Sequence, residues 1–143
     1  MLLWVTTLST AQAHEVLPSI ADMRVVDGDV TFEVRANLES FVAGINLSET
    51  ADTNESAQAV TYDELRALPP ETLAAQFGAF WPQMAQGITL TADGTSLAPA
   101  LTSVSVDPVG DVEVVRSSLF IFSAVLPDGA ENLPMGWASE RRV

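Results

Sequence analysis

The chain has 143 residues, of which 19 are acidic and 6 basic, for a formal net charge of −13, and it contains no cysteine. That balance argues against binding a nucleic-acid backbone, which needs clustered Lys and Arg. The missing cysteine excludes zinc fingers, disulfide scaffolds and thiol catalysis. With 48% hydrophobic residues the chain has material for a core, unlike disordered chains of high charge and low hydropathy, and its length suits one domain.

Residues 1–13 carry no charge, run apolar from Leu2 to Leu8 and end in Ala11-Gln12-Ala13. Small side chains at this A-x-A spacing suit a secretory leader cleaved before His14. The segment lacks a basic start and is shorter than the usual ~15–30 residues, so the expectation is a leader truncated at its beginning. The alternative is an ordinary apolar strand. Residues 14–143 would then be the exported, periplasmic chain, and no other segment approaches the ~18 apolar residues of a membrane span.

Val30, Phe32, Val34, Ala36 and Leu38 alternate with polar residues, the period of a half-buried strand. Asp27-Gly28 before them is a two-residue hairpin signal, because a type I′ turn needs positive φ at both central positions. That turn pairs Val26 with Asp29, Val25 with Val30 and Met23 with Phe32. It predicts an inward set of Ala21, Met23, Val25, Val30, Phe32 and Val34, with Arg24 diagonal to Glu33 on the other face. Residues 44–60 read as a loop.

Thr61-x-x-Glu64 predicts a capping box opening a helix that ends at Leu68. A second helix starts at Pro70, with Glu71 in its first turn. Its face is Leu73, Phe77, Phe80, Trp81 and Met84, and Pro82 and Gly87 lie at its end. Residues 88–92 with Asp93-Gly94 predict another hairpin, Leu90 facing Leu97. Residues 101–107 alternate weakly, while 112–115 and 119–126 are apolar on both faces, as expected of central strands. Pro127-Asp128-Gly129 predicts a turn and 133–138 a last strand. Together these predict a mainly β fold: an immunoglobulin-like antiparallel β-sandwich of about seven strands, without the Cys-Trp-Cys spacing of true immunoglobulin domains, and with a helical insertion at 61–86.

His14 is the sole histidine. Once exposed as a new N-terminus it offers an amine and an imidazole to Ni(II) or Cu(II). It is the only metal candidate, and a two-histidine copper site is excluded. Asp27 with Asp29, and Asp107 with Asp111 and Glu113, are the closest carboxylates, but neither group follows a calcium-loop pattern and both read as solvated turn acids. No G-x-S-x-G is present, no carboxylate pair stands out, and no catalytic residue or bound cofactor is predicted. Phe77, Phe80 and Trp81 read as packing residues rather than a membrane-binding face. Such faces are flanked by Lys and Arg, so no contact with anionic lipid is expected.

The opening His14-Glu15-Val16-Leu17-Pro18 with Ile20-Ala21-Asp22 resembles that of the longer HupE/UreJ-type membrane proteins. So do residues 62–71 (YDELRALPPE) with Leu73-Ala74-Ala75, then Gly87-Ile88-Thr89-Leu90, Ala92-Asp93-Gly94 and Trp137-Ala138. The resemblance covers nearly all of 14–143 and rests on short, mostly structural motifs. It implies an extracytoplasmic β domain ahead of membrane helices, in a family associated with hydrogenase and urease accessory functions and regarded as nickel-permease-like. The family's intramembrane Asp-His motif has no counterpart here. The expected role is therefore a non-catalytic extracytoplasmic domain assisting nickel transport, partnered by its own protein's membrane helices or by another membrane protein. A free periplasmic interaction module is the alternative, and a carboxylate hydrolase the third.

Overall fold

The computed structural model describes residues 19–47, 49–50, 52–130 and 132–137. The leader, His14 and Ala138 lie outside them. Two antiparallel sheets account for the seven strands among the described residues.

The first sheet has the order β1-β2-β6-β5, built from β1 (Ile20–Val26), β2 (Asp29–Arg35), β6 (Ser118–Val125) and β5 (Ala100–Val106). Asp27 and Gly28 both take positive φ (51° and 85°), as the type I′ turn requires. The resulting register pairs Val26 with Asp29, Val25 with Val30 and Met23 with Phe32. In β6, Phe120, Phe122 and Ala124 lie opposite Val34, Phe32 and Val30. Leu101 and Val104 of β5 continue the same rows. One face of the sheet is thereby apolar, while Thr31, Glu33, Ser103 and Ser123 stand on the other.

Helix α3 (Pro70–Ala85) covers the apolar face. Its buried Leu73, Phe77, Trp81 and Met84 join Phe32, Phe120 and Phe122 in one core. Phe77 lies 4.9 Å from Phe120 and Trp81 5.3 Å from Phe122, measured between ring centroids, and Phe32 stacks on Phe122 at 4.7 Å. These are the offset and tilted distances aromatic rings favour. The second sheet, in the order β4-β3-β7, comprises β4 (Thr95–Ser96), β3 (Ile88–Ala92) and β7 (Met135–Trp137). Asp93-Gly94 makes its hairpin turn, Leu97 donates to the Leu90 carbonyl at 2.8 Å, and Ile88 and Leu90 enter the core.

Four expectations are corrected. Strand β2 ends at Arg35, and Leu38 instead opens a short helix, α1 (Leu38–Ala43), capped by the Asn37 side chain. Helix α2 (Ala59–Arg66) begins before Thr61, so Thr61 and Glu64 sit within it and form no capping box. Residues 112–115 are not a strand. Asp111 folds them into a turn, its carboxylate accepting from the Glu113 amide at 2.9 Å and its carbonyl from the Val114 amide at 3.0 Å, which leaves Val112 and Val114 exposed. Finally, the β1 half of the inward set, Ala21, Met23 and Val25, is exposed.

Candidate functional site

Two places in the fold depart from plain core packing. The first is a buried polar cluster between α1, α2 and the loop that precedes β6. Asn37 caps α1 by accepting from the Ser40 amide at 3.1 Å, and its amide nitrogen donates to the Tyr62 hydroxyl at 2.6 Å. Burial pushes the Tyr62 phenol above its ordinary pKa, since the low-dielectric surroundings disfavour the phenolate. Glu39 and Arg116 are both buried. The Arg116 Nε and a terminal nitrogen lie 3.0 and 2.9 Å from one Glu39 carboxylate oxygen. The guanidinium also donates to the Leu68 and Leu65 carbonyls at 2.8 and 3.3 Å. A cation is favoured beside these carbonyls at the end of α2. Arg66 lies over the Tyr62 ring, 5.3 Å from its centroid. With Arg116 bonded both to one oxygen of the enclosed Glu39 carboxylate and to two backbone carbonyls, this cluster fastens three segments together.

The second place is strand β1. Because α3 covers the sheet only as far as β2, the rows of Val30, Phe32 and Val34 continue onto β1 with no cover among the described residues. On that face Met23 and Val25 are 51% and 50% exposed, and on the other face, beside Asp22 and Arg24, Ile20 and Val26 are 55% and 59% exposed. The only charges on the strand are Asp22 and Arg24. They form cross-strand pairs with Arg35 at 3.8 Å and Glu33 at 3.3 Å, in solvent, where such pairs contribute little. The strand is regular and has no proline, lysine or bulge, which are the usual devices that stop an edge from pairing with another chain. The opposite edge, β5, carries a bulge at Leu101–Ser103. β1 is therefore the surface best suited to recognition, through main-chain hydrogen bonds and an apolar row.

The carboxylates singled out in the sequence are dispersed. Asp27 lies in the first hairpin turn and Asp29 opens β2, and Asp107, Asp111 and Glu113 lie in the exposed loop before β6. Among the described residues, no three of the His, Asp and Glu side chains form a group able to hold a metal ion. His14, the metal candidate, lies outside the described residues. Phe77 and Trp81 are buried against the sheet, in keeping with a packing role. Sequence reasoning missed the Glu39–Arg116 pair, whose members are 77 residues apart and belong to no local motif. It also missed the exposure of β1, since alternation reports which residues share a face and not whether that face is covered.

The chain matches no protein-family profile, no curated protein and no solved structure.

Proposed function

We propose that this chain is a non-catalytic extracytoplasmic interaction domain of a HupE/UreJ-like membrane protein, assisting nickel transport by docking rather than by chemistry. The reading has it exported behind residues 1–13, standing in the periplasm and tethered to the inner membrane through membrane helices of its own protein or of a partner. The observation that carries it is the regular β1 edge, uncovered by any described residue, a surface for recognition through strand pairing. The resemblance of residues 14–22, 62–71 and 87–94 to the family's extracytoplasmic domain supports the membrane assignment. A charge of −13 suits a solvated exported surface that draws cations near and is repelled by nucleic acid and anionic lipid. We read the fold as an immunoglobulin-like sandwich with a helical insertion, α2 and α3 taking part of the layer that faces the four-stranded sheet. In this account His14 adds a Ni(II) or Cu(II) ligand at the new N-terminus.

The bare edge equally favours a second reading, a free periplasmic interaction module. The product of the native gene separates the two when it is located by cell fractionation and its N-terminus sequenced. A product that begins at His14 and sediments with the inner membrane is expected. A soluble periplasmic product supports the free module, and one retained in the cytoplasm with Met1 overturns both. Ni(II) titration of the exported product should weaken on His14→Ala, and unchanged affinity would remove His14 from the account.

A further inference from the structure

The parity of hydrogen bonding in the sheet determines which groups of β1 are free. The Gly28 carbonyl accepts from Leu126, the residue after β6, and the Ala36 amide donates to Ser118 of β6, so even-numbered residues of β2 face β6 and odd-numbered ones face β1. In the β1–β2 register, Ile20, Asp22, Arg24 and Val26 lie opposite Arg35, Glu33, Thr31 and Asp29 and are bonded to them. Ala21, Met23 and Val25 consequently turn their N–H and C=O groups toward the open edge.

The sequence of this strand is complementary to itself. If two copies of Ile20–Val26 run antiparallel about a two-fold axis at Met23, Met23 meets Met23, Ala21 meets Val25, and Ile20 meets Val26. Asp22 then meets Arg24 on both sides of the axis. The pairs that would exchange hydrogen bonds are Met23–Met23 and Ala21–Val25, the residues whose backbone groups meet no partner among the described residues. The adjacent registers of the same parity place Asp22 opposite Asp22 or Arg24 opposite Arg24, and like charges directly opposite are destabilising. One register therefore satisfies the open backbone groups, the apolar row and both charges together.

We propose that β1 is a homodimerisation strand, which joins two copies into one continuous eight-stranded sheet through an isologous β1–β1 contact centred on Met23. The occupant of the edge is a second copy because the charge order Asp22-x-Arg24 complements its own reversal. Within this sheet the contact closes at two copies, since β1 is its one regular edge and its other edge, β5, is bulged at Leu101–Ser103. The seven-residue interface is small and both partners carry −13, so the dimer is reversible and forms on concentration. The inference rests on reading β1 as a contact surface but not on membrane attachment or family, so fractionation and self-association can fail independently.

The test is sedimentation velocity on the purified full chain from low micromolar to near-millimolar concentration, alongside Asp22→Arg, Arg24→Asp and Met23→Lys. The side chains of Asp22 and Arg24 are 59% and 65% exposed, so their variants should keep the parent's circular dichroism spectrum. The parent is expected to shift from monomer to dimer, and each single variant to lose the dimer boundary. Mixing Asp22→Arg with Arg24→Asp should restore it, because each Arg of one copy then faces an Asp of the other. A parent that stays monomeric overturns the interface. Dimers that survive the single variants, or charge variants that stay monomeric when mixed, overturn the register. Met23→Lys carries the test if a charge variant fails to fold, since it places an ammonium on the axis at a half-exposed site, and a dimer that persists in it overturns the proposal.

Discussion

Arg116 shows how much one side chain can hold. Its guanidinium joins the loop before β6 to Glu39 on α1, to the Leu65 carbonyl of α2 and to the Leu68 carbonyl just beyond it. Removing one partner of a buried pair leaves the other charge uncompensated, so Arg116→Ala should destabilise the fold by about 3–5 kcal/mol in urea unfolding. A cost under about 1 kcal/mol, the worth of a surface pair, would show that the pair is solvated. Tyr62 provides a second readout. With its folded pKa raised by burial, the native state keeps a proton that the unfolded chain releases above the ordinary value near 10. Its contribution to stability is thus complete below pH 10 and is lost as pH rises from there toward the folded value. Tyr62→Phe should flatten that alkaline decline in a series of melting curves, and an identical slope in both proteins would exclude Tyr62 as its source. None of this cluster was legible in sequence. Glu39 and Arg116 look like two more surface charges until the fold encloses them, although Asn37 ahead of Leu38-Glu39-Ser40 is an N-cap signal that marks α1.

At the scale of elements, periodicity combined with turn chemistry is the more dependable guide. The β1–β2 register follows from Asp27-Gly28 and alternation, and the face of α3 from the spacing of Leu73, Phe77, Trp81 and Met84. Two of the failures share a cause, which is local hydrogen bonding overriding apolar pattern. Leu38 continues the alternation of β2, yet Asn37 turns the chain into α1. Val112 and Val114 look like strand residues, yet Asp111 binds the following amides into a turn. The interlock of α3 with β6 makes Phe77 the element's central contact, fully buried against Phe120. Phe77→Ala should therefore cost about 3–5 kcal/mol in urea, with the midpoint lowered and the slope unchanged. A loss no larger than that of an exposed substitution such as Val60→Ala would show that α3 is not fastened to the sheet.

For the whole molecule, what matters is where the core stops. The four-stranded sheet is covered over β2, β6 and β5, and its apolar rows extend one strand further onto β1, which no described residue covers. A strongly acidic surface around a regular, self-complementary edge gives a domain that resists general aggregation while keeping one specific contact. The alternation in 20–26 was visible in the sequence. The missing cover was not, because it depends on where α3 lies across the sheet. Without cysteine of its own, the chain offers a direct probe of that edge. A cysteine at position 23 would sit on the two-fold axis, where residues of a bonded antiparallel pair have Cα atoms about 5.5 Å apart, within disulfide range. Mild oxidation of Met23→Cys should give a covalent dimer in high yield, while Ser103→Cys, exposed on the opposite edge, should not. Equal cross-linking at both positions, or none at position 23, would contradict the account.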